Sequence, residues 1–234
     1  MAPSVSPIPR RPVESVDPAT GERWKRFEAA TEAAVIEAVR RAKVAQREWA
    51  GQAIGARVRI LRRFHESLFR RRREIAGALT RENGKPLTEA LGCEIAIALD
   101  FTNYYAREAP RFLRAPWVTA RALGMKRKRV QVVHEPFGVI GVISPWNYPF
   151  MLAAGIAIPA LVTGNAVVLK PSELTPESGE LLASLLHEAG VPPEVFAVVQ
   201  GDGSTGAALC DAGVDKIFFT GSVRTGRRVA VKCA

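Results

Sequence analysis

"GVIGVISPWNYPF", residues 138–150, reads as a buried strand running straight into a stiffened turn. Val139, Ile140, Val142 and Ile143 form a continuous apolar run without polar alternation, the pattern of a strand covered on both faces. Pro145 and Pro149 then bracket Trp146, Asn147 and Tyr148. Asn147 thus sits at the carboxyl end of a strand, where α/β folds place their ligands. Two readings are open: Asn147 satisfies its own turn, as loop asparagines do, or it is a donor held rigidly for a ligand.

The same rhythm continues to the end of the chain. "AVVLK" (166–170), "VFAVVQ" (195–200) and "KIFFT" (216–220) are further short apolar runs. Helical stretches separate them: "FMLAAGIAIPALVTGN" (150–165), closed by Gly164 and Asn165, then "TPESGELLASLLHEAG" (175–190) and "STGAALCDAG" (204–213). Thr175 is the expected N-cap of the second, with Pro176 at its first position and Gly190 after its end. "TGRRVAVKCA" (225–234) opens another helix. Strands alternating with helices predict a parallel sheet covered on both faces. Right-handed crossovers then bring all the strand ends to one edge. The loops there are "SPWNYP", "KPSELTP", "QGDGSTG" and "TGSVRTG", and a ligand is expected among them.

Upstream the chain reads as helical. Thr31 is placed to cap a helix to about Trp49, with Val35, Ala38, Ala42, Ala45 and Trp49 on one stripe and Gly51 as its stop. An Arg-rich helix follows and ends near "ENGKP" (82–86). A third is expected over 87–108, with Leu91, Ile95, Ala98 or Leu99, Thr102 and Tyr105 inward, and with Pro110 and Pro116 ending the pattern. "KRKRVQVVHEP" (126–136) alternates as an exposed, hairpin-like strand does. Residues 1–15 carry no apolar signal-peptide core and read as a disordered arm.

Composition narrows the function classes. The chain has 234 residues, 47% hydrophobic and 24% charged, with a formal net charge of +10. That basicity is local. Residues 57–73 and 121–129 hold thirteen basic residues against Glu66 alone, leaving the remainder near neutral. In 57–73, Val58, Leu61, Phe64 and Leu68 form an apolar stripe at helical spacing, so the arginines fall on the opposite, solvated face. No DNA-binding motif or interleaved aromatics accompany them, and neither nucleic acid nor membrane is expected as a partner. The longest weakly polar stretch, 150–164, is too short to span a bilayer and contains Pro159. Cys93, Cys210 and Cys233 form no CxxC or Cys/His cluster, so no metal site or disulfide framework is indicated, and a reducing cytoplasmic compartment fits.

The strand-end loops differ in what they can do. "GDGSTG" (201–206) matches G-x-G-x-x-G, yet the next strand ends in Thr220 and Gly221 without the acid that a dinucleotide fingerprint needs. A glycine turn closing a short βα unit is the better reading of Gly201. In "FTGSVRTG" (219–226), Gly221, Ser222 and Gly226 let a phosphate approach a helix N-terminus. Lys170 and Glu173, at the second strand's end, are a donor and an acceptor suited to a ribose.

Quoted together, "EPFGVIGVISPWNYPF" (135–150), "GNAVVLKPSELTP" (164–176) and "FTGSVRTG" resemble the NAD(P)-dependent aldehyde dehydrogenase superfamily in order and spacing. "DPATGE" (17–22), the helix at 30–50 and "ENGKPLTEA" (82–90) are similar to that family too. The resemblance implies an N-terminal, cofactor-binding portion with a Rossmann-like parallel sheet, an N-terminal helical segment and a protruding β-hairpin. The NAD(P)-binding domain would take residues 16–113 and 136–234, and residues 114–135 would be part of an oligomerisation arm. It implies NAD as cofactor with NADP possible, an aldehyde substrate, and a homodimer or homotetramer at full length.

Carried over by residue, the resemblance gives Asn147 a side-chain donor's place in an oxyanion hole, which answers the question its turn raises. Ile143, Pro145 and Trp146 match positions lining the cofactor, and Ser144 and Asn147 are counted with them. Lys170, Ser172 and Glu173 match the adenosine-ribose grip. Phe219, Gly221, Ser222 and Thr225 match the segment along the pyrophosphate and adenine, and Thr220 lies within it. Gly203 and Gly206 are looser matches. The family's nucleophilic cysteine and its general-base glutamate, in an E-L-G-G motif, lie beyond the F-T-G-S helix. The expectation is therefore a chain without its catalytic domain, inactive alone, from an enzyme that oxidises an aldehyde to a carboxylic acid. The alternative is a catalytically dead nucleotide- or partner-binding fragment.

Overall fold

The computed structural model describes residues 11–119 and 128–234. Most of the expected arm, residues 1–10, and the middle of the expected oligomerisation segment, 120–127, lie outside them. The arm is otherwise shorter than expected. Strand β1 (Val13–Val16) pairs antiparallel with β2 (Arg23–Phe27), and Ser15 is fully buried. The Asp17 carboxylate accepts from Ala19 N–H at 2.8 Å, and Gly21, at φ 75°, closes the turn between the strands. Four residues of strand carry too little periodicity to stand out beside a proline-rich start.

Helix α1 (Glu32–Gly51) begins where Thr31 accepts from Ala34 N–H at 3.1 Å. The Arg-rich helix is two helices, α2 (Ile54–Arg70) and α3 (Arg72–Asn83), broken at Arg71. α2 packs on the long helix that follows and on a sheet-covering helix, while after the break α3 packs mainly on the π-helical segment that precedes that long helix. Val58, Leu61, Phe64 and Leu68 are all buried as the stripe requires. Arg57 is not on the solvated face. It is buried, donating to the carbonyls of Val162 (3.0 Å), Trp49 (3.2 Å), Ala50 (3.1 Å) and Gln52 (2.5 Å), where α1 and a later helix end. One guanidinium thereby satisfies carbonyls that helix ends leave unpaired. After Gly84, in the left-handed region at φ 79°, come α4 (Leu87–Glu89), a π-helical segment (Ala90–Ile95) and α5 (Ala96–Phe112). α5 runs past Pro110, which in the last turn deletes one hydrogen bond without stopping the helix.

Strands β3 (Trp117–Thr119) and β4 (Arg129–Gln131) form an exposed antiparallel hairpin. The sheet then builds as β5 (Val139–Ile143), α6 (Pro149–Val162), β6 (Ala166–Lys170), α7 (Pro176–Ala189), β7 (Phe196–Val198), α8 (Gly203–Asp211), β8 (Lys216–Phe219) and α9 (Val223–Cys233). Its order is β7-β6-β5-β8, with every pairing parallel. Every residue of β5 and β6 is buried, as continuous apolar runs demand. α6 and α7 carry the chain in one direction along the sheet; α8 carries it back across β5. Right-handed crossovers put α8 on the opposite face, and α1 packs beside it there. β5 is thus the switch point.

Candidate functional site

A switch point opens a crevice beyond the carboxyl ends of its strands. Register aligns Ile143 of β5 with Lys170 of β6 on one side and Phe219 of β8 on the other. Backbone bonds extend the alignment into the loops: Ser144 N–H donates to the Lys170 carbonyl at 3.1 Å, and Thr220 N–H to that of Ile143 at 3.1 Å. The cleft so formed has a volume of about 530 Å³. Ile143, Ser144, Pro145, Trp146, Lys170, Ser172, Glu173, Gly203, Gly206, Phe219, Thr220, Gly221, Ser222 and Thr225 all line it. Asn147 does not; it is exposed beyond the rim, next to Trp146.

Lys170 is 4% exposed, and its Nζ reaches Glu173 at 3.3 Å. Burial pushes the ammonium below the ordinary lysine range, with Glu173 and Asp202 opposing that shift. The Ser144 hydroxyl is buried with no hydrogen-bond partner among the described residues, an orphan donor in the cleft wall. A buried cation beside an exposed carboxylate, with a free hydroxyl near, fits a ribose and its hydroxyls.

The glycine loops divide as the sequence suggested, with one refinement. Asp202 caps α8, accepting from Ser204 N–H at 2.8 Å, and hydrogen bonds from Ser204 hold its carboxyl below the usual range. A carboxylate already occupies that N-terminus, so "GDGSTG" presents no empty anion cradle. A β-carbon at Gly201 would lie 2.0 Å from the Thr205 hydroxyl, so its role is in the turn. At α9, Ser222 caps by accepting from Thr225 N–H at 3.2 Å. A β-carbon at Gly221 would meet the Phe219 ring at 2.6 Å, and one at Gly226 at 3.2 Å. Those glycines make room for Phe219 as well as for any ligand.

Several residues at the site were not foreseen. Arg228, Val229 and Lys232 of α9, with Ala207 and Cys210 of α8, complete the cleft; the i, i+4 spacing of Arg228 and Lys232 was a readable signal. Thr175 stands at the start of α7, but its hydroxyl makes no cap. Glu82 of α3 does, accepting from Glu177 N–H (2.7 Å), Ser178 N–H (2.9 Å) and the Ser178 hydroxyl (2.5 Å). Burial raises the Glu82 pKa against those donors. Residues 80 or more apart in sequence give no local sign of such a cap. Among the described residues no group of three or more His, Cys, Asp or Glu could hold a metal, and no helix is long and apolar enough to cross a membrane.

Residues 5–234 match the family model described as the aldehyde dehydrogenase family. This chain belongs to the aldehyde dehydrogenase family. A NAD-dependent benzaldehyde dehydrogenase from Corynebacterium glutamicum is 36% identical over 95% of this chain and 48% of its own, with a TM-score of 0.87. A succinate-semialdehyde dehydrogenase from Burkholderia pseudomallei is 36% identical over 95% and 46%, with a TM-score of 0.88. An NADP dependent enzyme from E. coli is 33% identical over 95% and 46%, with a TM-score of 0.89. The chain thus spans about half the length of each of these structures. The Rossmann-like sheet, helical N-terminal segment and hairpin correspond to the N-terminal portion of that family.

Proposed function

We propose that this chain holds the nicotinamide dinucleotide of an enzyme oxidising an aldehyde to a carboxylic acid, with NAD preferred and NADP accepted less well. The observation that carries the proposal is the buried Lys170 paired with Glu173 at the switch-point cleft. Lys170 and Glu173 would take the adenosine ribose hydroxyls, with Ser172 beside them. The segment from Phe219 to Thr225 would follow the pyrophosphate toward the adenine. A bound nicotinamide supplies a hydride acceptor. Asn147 would donate its side-chain amide to the alkoxide that forms when a thiolate adds to the aldehyde, a contact worth about 3–4 kcal/mol in preorganised sites. Pro145 and Pro149 keep that donor from reorganising. Glu173 is the basis of the NAD preference, because a carboxylate at the 2′ position repels a phosphate. The family contains relatives whose names carry each cofactor.

Calorimetric titration of the chain with NAD and with NADP tests this. Tighter NAD binding, with the gap narrowed in Glu173→Gln, is expected. Equal or tighter NADP binding by the unaltered chain would sink the preference, and no binding of either would sink the site. The β3–β4 hairpin, with Trp117, Val118 and Val130 exposed, is proposed as an assembly arm of a homodimer or homotetramer. Light scattering that finds a clean monomer would count against it.

A further inference from the structure

We propose that Lys85 and Glu94 are positioning residues for the turn that carries Asn147, holding its backbone so that the side-chain amide is presented in one place. This rests on the reading of Asn147 as a donor. The two residues reach the turn by distinct local devices. Gly84 takes φ 79°, which reverses the chain and sends Lys85 inward; a β-carbon there would lie 2.7 Å from Pro18 Cγ. Glu94 lies in the π-helical segment, whose wider turns re-aim side chains relative to the flanking α-helix. It is 0% exposed and pairs with Lys85, which is itself buried.

The network around that pair closes on the turn. Glu94 Oε2 accepts from Phe150 N–H at 2.9 Å and Met151 N–H at 3.0 Å, capping α6. Lys85 Nζ donates to the Asn147 carbonyl at 2.7 Å and lies 4.3 Å from the centroid of the Tyr148 ring. Asn83 Nδ2 donates to the Trp146 carbonyl at 2.6 Å. The peptide planes on both sides of Asn147 are therefore fixed through their carbonyls, and only its side-chain torsions stay free. A buried ion pair is a weak way to gain stability, since apolar residues of similar volume do as well or better. Its strength lies in direction: both Glu94 oxygens accept, and Lys85 Nζ donates to Glu94 and to the Asn147 carbonyl, so the network favours one geometry. Rigidity at that turn is what a preorganised donor requires.

The test uses the ¹⁵N-labelled chain without nucleotide or aldehyde, so that it stands apart from cofactor binding. In Lys85→Met, backbone order parameters at 146–148 are expected to fall from about 0.85 to below about 0.6. The Asn147 side-chain amide signals, assigned by their loss in Asn147→Asp, should move to solvent-like positions. Order in β5 and β6 and the urea midpoint serve as folding controls. Glu94→Gln, which keeps an acceptor for Phe150 and Met151 but loses the charge, should loosen 146–148 as well, and Lys85→Arg should restore much of the order. If Lys85→Met does not fold, Glu94→Gln and Lys85→Arg carry the comparison. Unchanged order at 146–148 in the folded variants would overturn the proposal. A parent chain that fails to bind NAD while Lys85→Met still loosens the turn would defeat the cofactor reading and leave this one standing.

Discussion

Lys170 keeps its charge in a place that resists it. Burial has already lowered its pKa, so the proton that a ribose or phosphate contact would use is held less firmly than in an ordinary lysine. If the protonated form binds nucleotide, affinity is lost as pH rises through that lowered value, and the loss begins below the usual 10.5. The sign for folding is the reverse. The unfolded chain holds the Lys170 proton more tightly, so between the two values Lys170 favours the folded state more as pH rises. Titrations with NAD at several alkaline pH values should show the fall, and Lys170→Met should remove it while weakening binding by about tenfold or more. A pH-independent affinity in the unaltered chain would show that Lys170 does not touch the ligand. The sequence made this residue legible because its meaning is local: a lysine at a strand end, three residues from a glutamate. Lys85 and Glu94 were not legible. Their partners at Asn147 and Phe150 lie 62 and 56 residues away, and only the fold brings them together.

At the scale of elements, burial was easier to read than boundaries. The stripe of Val58, Leu61, Phe64 and Leu68 follows from a 3.6-residue period, and Phe64 is 0% exposed. Phe64→Ala should destabilise the chain by about 3–5 kcal/mol, measured as a drop in urea midpoint with little change in slope. A loss under about 1 kcal/mol would mean that α2 is not packed as described. The periodicity says nothing of the break at Arg71, because its residues continue the same stripe from α2 to α3. What breaks there is outward: Arg71 forks to Glu74 and to Glu188 at 3.0 Å. The β1–β2 pair escaped for a related reason. Its one deeply buried polar group, Ser15, is explained by Glu82 at 2.8 Å, a partner that no local pattern contains.

Taken whole, the molecule offers an open cleft at its switch point and little means of activating a thiol there. Of its three cysteines only Cys210 lines the cleft, and burial with the nearby Cys233 pushes its thiol up to about 11. At neutral pH such a group is almost wholly protonated and a poor nucleophile. The 234-residue chain, assayed alone with short aldehydes and NAD, should give no NADH absorbance at 340 nm above background. Thiol-sensitive turnover abolished by Cys210→Ala or Cys233→Ala would overturn that expectation.

The strand order has a kinetic side. β5 finds β6 27 residues along the chain but β8 only after 76, and the longer loop closes at greater entropic cost. α9 buries none of its residues, so little apolar contact repays that closure. β8 and α9 should therefore dock last and peel first, as a unit less stable than the rest of the sheet. The cleft exists only while that flap is closed. A nucleotide bridging β6 to α9 would then act as a clasp, adding about 2.7 kcal/mol to closure at a hundred times its dissociation constant. Amide exchange in Ile217–Phe219 and along α9 should slow about a hundredfold with NAD present, while β6 keeps its rate.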